Sequence, residues 1–500
     1  LTGAINNNKS NAGNRHQGHK PAAGEDVVMA NAVNCVVDEA TAALNSFNQT
    51  GYTGVLSGSA NITVTPASGT VVAKFANGAA HTWSGSIILS PPTGAVINLT
   101  MGGLTTCGGV TISGTTTGAV YFLDGFTLGS SIYVSHNSGV LHTDGAADNS
   151  GLVHSWGRVS VSSSGGAKSL YLGNSSITCT YGGIAWSYAN DTGTLYAGTS
   201  TITFTGAAAT MQPCYASSPA YYDVVFNGSG NQRITGAASA LYVPSFHNLS
   251  VLGKTGFSQY FTLYEDIVVT GLLTLTGFSE INRLLVRAFT LGTSYKITCT
   301  GATFSCAKIN LKDINFARAD AGALDLTAGG TNTIGDCGGN SKTLGNSAVL
   351  TMTTSETQNF NNAAGGNWAD ANWTGSGGNN RVPLPQDDVT FNTVFNSGVT
   401  ITANMDILGR DISFAAATAS GAGVLPALAL VNATTLFGSL NLTGLKATGV
   451  SGDYDLTFER QARTGTSYLT SNGQSFGNGY ICIMAFNATV QLADNFSMAS

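Results

Sequence analysis

Two stretches of this chain are near copies of one another. Residues 169–180 read SLYLGNSSITCT and residues 193–205 read GTLYAGTSTITFT, which sets Ile177 and Ile202 25 residues apart. Each is a pair of short strand-like runs broken by a Gly, Asn or Ser turn. Similar runs recur at 61–65, 71–75, 86–89, 95–100, 109–113 and 119–123, and again at 223–227, 247–252, 267–276, 296–300 and 309–316. A unit of roughly 20 to 25 residues holding two or three short strands is the size of one coil of a parallel β-helix. Coils stacked about 4.8 Å apart pair each strand with its copies above and below. Inward apolar residues and Asn or Thr ladders then hold the stack without a wide core. Five hundred residues exceed one ordinary core, and a repeat needs no single core. Gly counts 64 and charged residues only 9%, a mixture suited to strands with tight turns rather than helices. A string of β-sandwich domains would also show short strands, but no Cys/Trp core pair marks one and the Gly-rich turns recur too quickly. The expected fold is therefore all-β: right-handed parallel β-helix modules in an elongated chain, with a short N-terminal helix.

That helix is expected at 25–47, where Val28, Val33, Val36, Val37, Ala40, Leu44 and Phe47 fall on a stripe at helical spacing and Glu25 and Asp26 sit in the first turn. The polar segment 1–24 has almost nothing to bury and calls for a neighbouring subunit to hold it. The chain then divides into an arm (1–24), an attachment and oligomerisation helix (25–50), a first β-helix module (51–340), a junction (341–388) and a second β-helix module (389–500) that continues beyond the sequence in hand. The junction reads GGNWADANWTGSGGNNRVPLPQDDVTF over 365–391. Pro383 and Pro385 each remove a backbone donor, and Trp368 and Trp373 are expected to pin the joint against a module end.

The net charge of −6 and a pI near 5.6 leave no basic stripe for nucleic acid. No run reaches the roughly 18 apolar residues of a membrane span. The eight cysteines form no C-x-x-C pair, so zinc is not expected and the thiols are read as small inward apolar groups; Cys299 and Cys306 are the one close pair.

The junction, with IGDCGGNS at 334–341, the strand GSLNLT at 438–443, LTFER at 456–460, LTSNGQSF at 469–476 and VQLADNFSM at 490–498, resembles a module of tail-fibre and tailspike-like proteins of tailed bacteriophages and prophages. The resemblance is carried by 334–500. It implies an elongated β-structure on a virion surface and transfers no catalytic residues.

The densest polar set lies at 124–156. Asp124 and Asp148 are 24 residues apart, about one coil, and Asp144 lies between them. Two carboxylates about 5 Å apart would suit a retaining glycosidase. His136, His142 and His154, with Trp156 beside them, are candidate binding residues, and the histidines are the alternative metal set. Against this, DGAADNSG reads as a solvated turn, and neither a metal nor a cofactor is expected. Glu265 and Asp266 with Glu280, and Asp313 with Asp336, repeat the spacing less fully. Tyr52, Trp83, Tyr121, Tyr133, Trp156, Trp186, Tyr215, Tyr221 and Tyr222 are candidates for a glycan-binding surface, most of them expected to serve packing instead.

The expectation is a structural virion protein, a homotrimer contacting other virion proteins at one end and a host-surface glycan or protein receptor along its length. The alternatives are a polysaccharide-cleaving tailspike and a bacterial surface adhesin.

Overall fold

The computed structural model describes residues 21–30, 32–145, 150–162, 166–188, 193–214, 220–236, 243–255, 259–299, 301, 303–318, 323–328, 333–343, 348–452, 455–476, 481–484, 488–495 and 497–498. Nearly all regular structure is β, arranged as a parallel β-solenoid. The chain separates into two compact units, Leu1–Val251 with Glu265–Leu273, and Leu252–Tyr264 with Thr274–Ser500.

In the first unit, parallel ladders follow the coil period. Ser176–Cys179 pairs with Thr201–Phe204 in the register Ile177↔Ile202, and Lys168–Tyr171 with Gly193–Tyr196 in the register Leu170↔Leu195. The 25-residue sequence repeat is thus one turn of the solenoid. Burial alternates along each strand: Ile177 and Cys179 are buried and Ser176 and Thr178 half-buried, as the pleat requires. Inward residues stack on their own copies, as Phe204 does on Phe226 with ring centroids 4.7 Å apart.

The expected helix at 25–47 is not formed. Asp26–Val28, Cys35–Val37 and Ser46–Asn48 are strands, and the first pairs with the third in parallel, Val27↔Phe47. Burial explains the outcome. Val27, Met29, Cys35, Val37, Leu44 and Phe47 are buried, whereas Val28 (58% exposed) and Val33 (37%) of the helical stripe face outward. β-Branched valines, stiff at χ1, gain more on a pleated surface than in a helix. Asp26 accepts hydrogen bonds from Asn45 Nδ2 (2.7 Å) and Ser46 Oγ (2.6 Å), so the expected helix-start acid instead ties two coils together.

The second unit continues the parallel pattern in two sets of ladders. One comprises Gln259–Leu263, Leu284–Ala288, Ile309–Lys312 and Ile334–Asp336. The other begins after the proline-rich stretch and includes Ile407–Gly409, Thr434–Leu436, Leu456–Phe458 and Ile481–Ile483.

Between them the junction is packed into a core. Trp368 is fully buried and Trp373 3% exposed, in one cluster with Phe360, Phe391 and Phe414. The Trp373 indole N–H donates to the Trp368 carbonyl at 2.9 Å, and Phe391 stacks on Phe414 at 3.9 Å. Here Thr357–Phe360 pairs antiparallel with Trp373–Gly375 and parallel with Asp388–Thr390. Pro383 and Pro385 are buried beside Asp387. The Asp387 carboxylate accepts the backbone N–H groups of Leu384 (2.7 Å) and Glu356 (2.9 Å) and pairs with Arg381. The missing donors of the prolines are therefore matched by a buried acid that gathers the neighbouring ones.

Candidate functional site

Among the described residues of 124–156 the polar side chains are dispersed between different partners. Asp124 turns back to the preceding coil, where its two carboxylate oxygens accept the N–H groups of Met101 and Gly102, each at 2.8 Å. Asp144 is fully buried against Gly173, whose φ of +53° and missing side chain let the carboxylate sit where a β-carbon would clash. Asp148 lies outside the described residues.

All three histidines are buried, on different faces of their strands. His136 and His154 are fully buried, with Nε2 3.0 Å from the Gly139 carbonyl and 2.7 Å from the Thr143 carbonyl. Burial pushes the pKa of each down to about 4, so both are neutral near pH 7 and donate Nε2–H. His154 packs against Trp156 with ring centroids 4.6 Å apart, and Phe122 and Phe126 close the same core. Among the described residues no group of three or more His, Cys, Asp or Glu side chains is placed to hold a metal ion.

His142 points the other way and joins a ladder of rings. Tyr121, His142, Tyr171 and Tyr196 occupy one register column and stack at 4.2, 4.3 and 4.2 Å. The inner rings, His142 and Tyr171, are covered on both faces and turn only their edges to the surroundings. A sugar stacks on faces, so the row is built for cohesion between coils. The other aromatic candidates divide similarly. Tyr52, Trp83, Trp156, Trp186 and Tyr221 are buried, Tyr133 carries the Arg158 guanidinium 3.1 Å above its ring, and Tyr222 stacks on His247 at 4.5 Å. Tyr215 lies outside the described residues.

Glu280, Asp313 and Asp336 hold loops. Glu280 pairs with Arg283 at 2.7 Å. Asp313 takes the Gly292 N–H (3.1 Å) and Arg463 (3.0 Å), and Asp336 takes the Gly338 N–H (2.8 Å) and Gln461 (3.0 Å). Asp313 and Asp336 thus meet the same returning segment at 461–463, where they anchor backbone.

The cleft lies elsewhere, inside the second unit. Its two ladders face each other across a space of about 230 Å³. On one side Tyr260, Leu285 and Asn310 form one outward column and Thr262, Arg287 and Lys312 the next. On the other, Ile407, Thr435 and Thr457 are in register. Leu285, Cys337 and Phe437 form a small dry cluster with Tyr260 and Ile407 packed on it. Lys312 Nζ meets Glu459 Oε1 at 2.7 Å across the space. Arg287 lies 4.4 Å over the Tyr260 ring. Burial, then the Asp406 charge, raises the Tyr260 hydroxyl pKa. Arg283 closes the far wall, bonded to Asn310 Oδ1 (2.9 Å) and the Ile309 and Thr333 carbonyls (2.8 and 2.7 Å); burial lowers it to about 10 against the opposing pull of Glu280.

Arg287, Lys312 and Asp406 fall in no motif, and Glu459 falls in LTFER without any chemical role marked there. The available signal is the repeat itself. Tyr260, Leu285 and Asn310, like Thr262, Arg287 and Lys312, are spaced by 25 residues, so writing the sequence coil under coil aligns the wall.

Comparison with known proteins finds no family model, no curated protein and no solved structure that matches this chain.

Proposed function

We propose that the protein is a structural component of a bacteriophage virion, a tail fibre or tailspike-like protein that contacts the host surface. The observation that supports this reading best is the parallel solenoid, in which outward positions are repeated coil after coil, as in the pairs Ser176↔Thr201 and Thr178↔Thr203. Such rows suit many weak simultaneous contacts, whose combined strength exceeds any one of them. The resemblance of 334–500 to phage fibre modules supports a location on the particle. Engagement of Asp124 in backbone hydrogen bonds favours presentation over cleavage at the 124–156 region.

Two measurements test it. Antibody against the purified chain should label intact phage particles, and the purified chain should slow phage adsorption to its host. Absence of the protein from purified particles would overturn the reading. Light scattering on the same material should give three times the 51.0 kDa chain mass if the chain acts as the expected trimer. Release of new reducing ends from host polysaccharide would instead move the protein to the cleaving alternative.

A further inference from the structure

We infer that the cleft of the second unit binds the carboxylate group of a small ligand, received by Arg287 and Asn310. The cations on its walls differ in what they have left to give. Arg283 spends its N–H groups on the protein: Nε on Asn310 Oδ1, Nη1 on Glu280 and Thr333 Oγ1, and Nη2 on the Ile309 and Thr333 carbonyls. Lys312 is matched by Glu459 at 2.7 Å. Arg287 is held but not used up. Its Nε donates to Thr262 Oγ1 at 3.3 Å and its guanidinium lies 4.4 Å over the Tyr260 ring, which fixes the plane of the fork. Its Nη hydrogens meet no acceptor among the described residues, and neither Nη atom is sealed from the cleft that the side chain lines.

Asn310 supplies a second donor. It is 3% exposed, and because Arg283 Nε takes its Oδ1, the amide is oriented with Nδ2 as the group left over. That nitrogen also has no acceptor among the described residues and is not sealed off. Asn310 is the register partner of Leu285, two residues before Arg287, so the two donors are diagonal neighbours on adjacent strands of one wall. A planar guanidinium fork with an amide N–H beside it matches the two oxygens of a carboxylate.

The rest of the lining narrows the ligand. Asp406 limits the negative charge that the cleft accepts, which favours a monoanion over a doubly charged phosphate or sulfate. Leu285 lies between Tyr260 and Asn310 in their column, and Ile407 and Phe437 pack with it. The ligand therefore carries apolar carbon next to its acid group. The volume of about 230 Å³ falls below the ~300–1,000 Å³ of drug-sized pockets, which sets it at a short organic acid or one sugar-acid ring.

This inference stands apart from the virion reading: it is tested on the isolated chain, whereas the virion reading is tested on particles. The full chain is titrated by saturation-transfer NMR with two matched pairs, glucuronate against glucose and lactate against 1,2-propanediol. At least one acid should bind with a dissociation constant on the order of 1 mM, about tenfold or more tightly than its neutral counterpart. Saturation by lactate marks a site for free acids, and saturation by glucuronate alone marks one for the uronate residue of a polysaccharide; either supports the assignment. Arg287→Gln should weaken binding about tenfold or more, and Arg287→Lys, which keeps the charge and loses the fork, should weaken it less. Asn310→Asp, which keeps an oxygen for Arg283 Nε but replaces the Nδ2 donor by a charged acceptor, should abolish it. Protection of the seven buried thiols from alkylation certifies that each variant is folded. No saturation by either acid at tens of millimolar, equal binding of the neutral counterparts, displacement of the acid by an equal concentration of inorganic phosphate, or undiminished binding by folded Arg287→Gln or Asn310→Asp would each overturn the assignment.

Discussion

The region around His154 and the cleft beside Glu459 each bring several polar side chains together in the fold or in the sequence, and they end in opposite states. In the first, an acid, two histidines and a tryptophan lie close in sequence, and the pleat drives His136, His154 and Trp156 inward while Asp124 caps the preceding coil. In the second, Arg287, Lys312, Asp406 and Glu459 come from strands and loops up to 172 residues apart and meet across a space that two ladders leave open. A strand alternates faces at every residue, so density along the chain scatters a polar group between core and surface. Spacing by one coil places side chains on the same face. Sites in such a fold are written down the columns.

The comparison can be broken by experiment, and the largest effect is expected on the dry side. Trp156→Ala should cost about 3–5 kcal/mol, the range for removing a buried aromatic, read as a fall in the denaturation midpoint of the first unit. A loss near zero would mean that the indole is not core.

Acid is the next lever. His136 and His154 have folded pKa values depressed from 6.5 to about 4, so the stability they contribute is complete above pH 6.5 and is lost as pH falls toward 4. A shift of that size corresponds to about 3 kcal/mol per histidine. Melting temperature should be flat above neutrality, fall between pH 6.5 and 4, and fall less in His154→Gln. A pH-independent midpoint over that window would show that these imidazoles are hydrated.

Asp124→Ala should cost about 1–3 kcal/mol by freeing the Met101 and Gly102 N–H groups, seen as faster hydrogen exchange at those two amides. Smallest of all, Thr435→Ala on the cleft wall should change stability by less than about 0.5 kcal/mol, because the side chain is half-buried and lines open space. A large thermal effect there would mean that the cleft is a packed seam.

Much of the fold was legible from residues 169–205. The Ile177 to Ile202 spacing is the coil period, and the Gly, Asn and Ser turns between strands locate the corners. The N-terminal segment misled because 28, 33, 37, 44 and 47 satisfy a helical period by chance while 27, 29, 35 and 37 satisfy a strand period; only burial by the next coil decides between them. Pro383 and Pro385 mark an irregular stretch inside the second unit, but the role of Asp387 there was not legible. An acid that staples Leu384, Glu356 and Arg381 looks, in sequence, like any turn aspartate. The cleft was illegible motif by motif because its opposite walls, near 310 and 457, are joined by no local pattern.

The coil register also has a mechanical consequence. Parallel ladders stacked along one axis carry load through one set of coil-to-coil hydrogen bonds at a time, so a pulled end should peel rather than shear. Each 25-residue coil that lets go frees about 80 Å of contour at ~3.4 Å per residue, against a rise of about 5 Å in the stack. Tension on such a chain would be met by a staircase of small yields, each one reversible by the same ring-on-ring and strand-on-strand contacts that closed it.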